Sequence, residues 1–194
     1  MEGLFSSWVA AITRPSVETF DAQKPLANRN KTLISVILAA VVSAVLGAIL
    51  VLVAATAASI FSGFGLPLFV GPIAAARAFI SSLVNTIVFF YVFIYVLQFV
   101  AKQFGGTGNF DEQAHLVAIA YAPIVIISSI VMFIPFLGQI IAFLLFIYLL
   151  VLLTFATRSG QGIQTWPAVV SWVISGIAAA IVIGIISAIT GGWL

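Results

Sequence analysis

The stretch from Lys102 to His115 gathers the densest set of side chains in this chain that could do chemistry. Asp111 and His115 are four residues apart and Glu112 and His115 three apart, so on a helix both acids fall on the histidine's side. Imidazole with carboxylates suits Zn²⁺ or Fe²⁺. A metal site normally needs more ligands, however, and the chain has one histidine and no cysteine. The better reading is a helix cap, from Asn109 or Asp111, surrounded by interfacial polar residues, with no metal and no cofactor. Gly105, Gly106 and Gly108 make the preceding turn flexible. Their run, Gly-Gly-Thr-Gly-Asn-Phe, lacks the lysine of a phosphate loop and the glycine spacing of a dinucleotide fold.

The elements that must carry these residues are set by where charge is missing. Charged residues make up 6% of the 194 positions and hydrophobic residues 63%. Soluble domains average about 25% charged. So small a chain cannot hide that much apolar surface from water, so its solvent is lipid. Five apolar stretches, about 33–60, 78–101, 114–134, 136–157 and 168–190, each reach the roughly 20 residues a helix needs to cross the hydrocarbon core. The first, near 28 residues, extends about 42 Å and must tilt or project. No stretch alternates apolar and polar residues as a barrel strand would. A cleaved signal peptide is not expected, because the first span begins late and is too long for an h-region. The fold class is all-α: a polytopic bundle of five transmembrane helices with an N-terminal interfacial amphipathic helix. Residues 1–32 form the interfacial segment, 33–190 the transmembrane domain and 191–194 a tail.

Arg14, Lys24, Arg29 and Lys31 precede the first span, Lys102 lies in the second connection and Arg158 in the fourth. Only Arg77 is left for the opposite face, so the positive-inside rule places the N-terminus in the cytoplasm and the C-terminus outside a cell membrane. In the N-terminal segment Leu4, Phe5, Trp8, Ala11 and Ile12 recur at helical spacing until Pro15 interrupts them. That stretch either lies in the headgroup layer with Trp8 as its anchor or packs on the end of the bundle. Between the first two spans, Phe61–Ala76 combines helix-breaking glycines and prolines with apolar residues and reads as a loop on the interface, the sharper alternative being a re-entrant element.

An enzyme is not expected, since no ionisable residue falls in the middle of any span, and the same absence argues against ion-coupled pumping. Asn85, Gln98 and Gln139 are the intramembrane polar groups, read as helix-packing partners, with a polar cavity as the alternative for Asn85 and Gln139. Gly176, Ala180, Gly184 and Ala188 make a ladder of small residues along the fifth span, and Ala40, Ala44 and Ala48 a second along the first. Such ladders let helices approach closely, within one chain or in a homo-oligomer. Pro123 should kink the third span, and Pro135 with Gly138 should turn the chain into the fourth.

Trp8 with Arg14-Pro15, Gly105-Gly106-x-Gly108-x-Phe110, Tyr121-Ala-Pro123, Ile134-Pro135-x-x-Gly138 and Tyr148, in that order, resemble the Yip1 family, and more narrowly its short prokaryotic members. The resemblance spans about residues 5–190. It implies a five-helix membrane domain with a cytoplasmic N-terminus. Eukaryotic relatives associate with prenylated Rab GTPases and act in vesicle trafficking and membrane shaping. The family's Asp-Leu-Tyr-Gly-Pro motif is absent here, and a Rab partner is not carried over. The function so implied is a non-enzymatic membrane protein that organises or shapes membrane, or scaffolds partner proteins; the alternative is a passive channel or carrier for a small or lipid-like solute. Its partners would be membrane lipids and other membrane proteins, with no nucleic acid.

Overall fold

The computed structural model describes residues 2–62 and 66–190, all helices and short connections, with no strand among them. Two short helices, α1 (Glu2–Thr13) and α2 (Val17–Gln23), precede five long ones: α3 (Arg29–Ser62), α4 (Leu66–Gln103), α5 (Phe110–Val131), α6 (Leu137–Gln161) and α7 (Thr165–Ile189). The break between α1 and α2 falls at Pro15, as its missing donor demands, and Ser16 caps α2 by accepting the Thr19 N–H at 3.1 Å. All five long helices are long and apolar enough to cross a membrane.

The connection anticipated over Phe61–Ala76 is largely absent. Residues 63–65 lie outside the described residues, but α4 is already helical from Leu66 and runs through Pro72. Pro67 sits in the first turn, where its N–H would have no partner anyway. Gly71 lets α4 approach α3 closely: a Cβ there would meet the Ala55 Cβ at 2.9 Å. The second span is therefore a 38-residue helix, and Arg77 belongs to it rather than to a loop.

α5 is the centre of the bundle. It packs on α6 along one side and α3 along another, while α4 packs on α3 and α7. Its N-terminal half, Gln113 to Ala120, is buried without interruption. The helix continues through Pro123 as a single element. Pro135 and Gly138 do make the turn into α6: the Gly138 N–H bonds the Ile134 carbonyl at 2.8 Å. A Cβ at Gly138 would lie 2.2 Å from the Val131 carbonyl oxygen, so only glycine fits. Phe136 takes the left-handed φ of 62° in this turn, a strained value for a non-glycine residue.

The two small-residue ladders end differently. Ala40 and Ala44 are buried within the chain. On α7 the ladder faces outward beyond Gly176: Ala180 and Gly184 are exposed, and a Cβ at Gly184 would meet nothing within 4 Å. Assembly inside one chain thus accounts for the first ladder alone.

Candidate functional site

The polar residues converge at the end of the bundle where α1 and α2 lie, with the ends of α4 and α6 and the starts of α3, α5 and α7. Arg29, Lys31, Lys102 and Arg158 belong to helices meeting there, Arg14 to the connection between α1 and α2, and Lys24 to the chain directly after α2. α4 closes in a Schellman motif, Gly105 at φ 82° with the Gly106 N–H bonding the Ala101 carbonyl at 3.0 Å. The chain then lies against the end of α6, where the Thr107 N–H bonds the Gln161 carbonyl at 3.0 Å. A Cβ on Gly108 would stand 1.7 Å from the Gly160 oxygen. These glycines serve backbone contact between loop and helix, which explains why the run resembles no phosphate loop.

Asn109 caps α5, its Oδ1 accepting the Glu112 N–H at 2.8 Å, while Asp111 and Glu112 occupy the first turn, where the positive end of the helix dipole favours acids. Asp111 is exposed, but His115 is fully buried, its Nδ1 3.5 Å from Thr32 Oγ1 on α3. The acids and the imidazole therefore face different surroundings despite their helical spacing. Among the described residues no three His, Cys, Asp or Glu side chains cluster in a way that could hold a metal.

Gln98 works at this end too. Its Nε2 donates to the Gly108 carbonyl at 2.8 Å, and Gln161 Nε2 donates to its Oε1. Gln113 is fully buried with both amide atoms unpartnered among the described residues; His115 Nε2, Thr157 Oγ1 and Gln161 Oε1 are likewise buried without partners. A Cβ on Gly160 would lie 2.2 Å from Gln113 Oε1. Buried polar atoms in this state are those that ordered water satisfies. Sequence reasoning reached Gln98 but missed Gln113, Thr157, Gly160 and Gln161. Their signal was available only as two amides, a hydroxyl and a glycine placed at the ends of apolar runs.

Trp8 is buried, and its indole N–H donates to Ser35 Oγ at 3.3 Å, so it anchors α1 to α3 and not to the lipid headgroups. Tyr148 OH on α6 donates to the Ile12 carbonyl at 2.7 Å. α2 is tied down by Phe20, fully buried, and by Asp21, which accepts from Ser159 Oγ at 2.7 Å and pairs with Lys24 at 2.7 Å. Those hydrogen bonds, from Lys24 first and then Ser159, hold the Asp21 carboxyl below its ordinary value.

Asn85 and Gln139 do not join this cluster. Asn85 lies within α4 with its Oδ1 buried and unpartnered among the described residues, and Gln139 is exposed in the first turn of α6. Neither lines the main cavity, about 620 Å³ between α4, α5, α6 and α7, whose walls are almost wholly apolar.

Five apolar membrane-length helices, with all their charged residues but Arg77 gathered at one end, define a multi-pass membrane protein. The Yip1 domain matches residues 9–188, nearly the whole chain, and the protein belongs to that family. No curated protein matches it, and neither does any solved structure.

Proposed function

We propose that this protein is a non-enzymatic organiser of membranes, shaping the bilayer around it or scaffolding partner membrane proteins, with its polar end in the cytoplasm. One observation carries the reading: the helices differ greatly in length, α3 and α4 on one side outreaching α6 and α7, of 25 residues or about 38 Å each, on the other as well as the central α5. α3 and α4 have 34 and 38 residues, about 51 and 57 Å, against about 33 Å for the 22 residues of α5. A bilayer core of about 30 Å cannot match both sides at once, and such mismatch is relieved by tilting or local changes of thickness. The clamped α1–α2 cap adds bulk at one surface only, which also favours bending. The orientation is supported by the basic residues collected at that end.

Reconstitution tests it. Vesicles carrying the protein should become smaller and more curved than protein-free vesicles, by cryo-electron microscopy, with a larger effect in thin bilayers than in thick ones. Unchanged size and curvature at every chain length would defeat the proposal. A cysteine at Ser6 should react with an impermeant maleimide only from the cytoplasmic side in cells.

A further inference from the structure

The main cavity contributes nothing to the polar end and plays no part in the length mismatch. Its volume of about 620 Å³ falls within the range of small-molecule sites, about 300–1,000 Å³. It is a side-open space rather than an enclosed void, and left empty it would deprive its lining atoms of dispersion contacts. Water is no filler here. Ser129 Oγ is turned back onto the Val125 carbonyl at 2.8 Å and the Trp172 N–H is spent on Thr154, so the walls offer few free polar groups, and apolar cavities stay dry.

Two further features define the occupant. Along α5 the lining runs from Val117 to Met132, about 22 Å, enough for a chain reaching through one leaflet, about 15 Å. The cavity is also open to the side. Phe146 of α6 and Val173 and Ile177 of α7 line it and are exposed as well, so the mouth lies between these two helices at hydrocarbon depth. Towards the polar end the mouth is closed, since Trp172 Nε1 bonds Thr154 Oγ1 at 3.0 Å and pins α7 to α6. We infer that this cavity binds one acyl chain of a membrane glycerolipid, entering between α6 and α7 from the leaflet away from the polar end. The surrounding hydrocarbon is the only abundant material at that depth whose shape and polarity match.

Gly176 lines the cavity, and a Cβ there meets nothing within 4 Å, so Gly176→Leu can fill the space without a clash. Gly184 lies about two turns further along α7, on its exposed side and outside the lining, with nothing within 4 Å of a Cβ, so Gly184→Leu is its control. The full-length protein, purified in detergent from vesicles of phosphatidylcholine and phosphatidylglycerol, would be measured by native mass spectrometry. The wild type and Gly184→Leu should retain a lipid per chain, and Gly176→Leu should lose it at least about tenfold. Equal retention in all three proteins would overturn the site. So would a wild type free of lipid, or a lipid-free dimer that Gly176→Leu dissociates, which would make a second copy the occupant. Thermal unfolding in detergent checks that Gly176→Leu is folded; lipid loss with an intact transition is the supporting result.

Discussion

The two ends of this bundle are built on opposite plans. At the polar end the turns are tied across elements: loop to α6 by Thr107, α2 to α6 by Asp21 and Ser159, α1 to α3 by Trp8. At the other end the α5–α6 turn carries Phe133, Ile134, Phe136 and Leu137 exposed, with hydrogen bonds only to its own neighbours. The same contrast separates α5, with 56% of its membrane window buried, from α7, with 17%. Where water is the neighbour, backbone groups leaving a helix must be satisfied and apolar surface covered. Where lipid is the neighbour, apolar side chains need no cover and only the backbone must be satisfied. Specific contacts therefore accumulate at one end, and the other is left free to meet lipid.

If the polar end is the rigid one, Gly108→Val should do the greatest damage. Its side chain has no room against the Gly160 backbone, and a loss of about 3 kcal/mol or more is expected, read as a fall in the SDS fraction needed for unfolding. Trp8→Ala comes next, at about 3 kcal/mol in the same measurement, through lost packing and the freed Ser35 hydroxyl; an effect no greater than that of Phe5→Ala would mean that α1 is not clamped. Gln98→Leu should cost about 1 kcal/mol by removing the bond to Gly108 and stranding Gln161 Nε2.

Ser159→Ala tests the link to α2 through pH. Because the Asp21 carboxyl is held below its ordinary 3.8, its contribution is present above that value and is lost as pH falls through the lower, folded value. Stability at neutral pH should drop by about 0.5 kcal/mol, since Asp21 is well exposed although Ser159 is buried, and the wild-type and variant curves should converge in acid. The smallest effect belongs to the other end: Gly184→Leu should shift stability by no more than about 0.5 kcal/mol. A large loss there would show that the outward face of α7 is covered in the membrane.

Much of this architecture is written locally. The spans over 114–134 and 136–157, a cap at Asn109 or Asp111, the break at Pro15 and the Pro135–Gly138 turn rest on apolar runs and on residues with strong local backbone preferences. The start of α4 is not of that kind. Pro67, Gly71 and Pro72 argue for a loop by local rules, yet a first-turn proline loses no bond, and Gly71 serves the close approach of α3. Trp8 has the sequence signature of an interfacial anchor, and only its neighbour Ser35, 27 residues away, reveals it as a packing residue. The Asp111, Glu112 and His115 spacing is helical, but α3 claims the histidine and leaves Asp111 exposed and Glu112 half-buried.

What the sequence determined by itself is the solvent, the number of crossings and the end at which charge collects, because each follows from transfer of side chains between water and hydrocarbon and needs no knowledge of neighbours. Only the tertiary structure decided which polar groups share a site, which small-residue face is buried, and that four helices line an apolar cavity open to one side. In lipid, every apolar side chain is equally at home facing a helix or the bilayer, so hydrophobicity does not say which way a residue points. That choice is made by backbone fit and by a few hydrogen bonds between distant segments, and these exist only once the chain is folded.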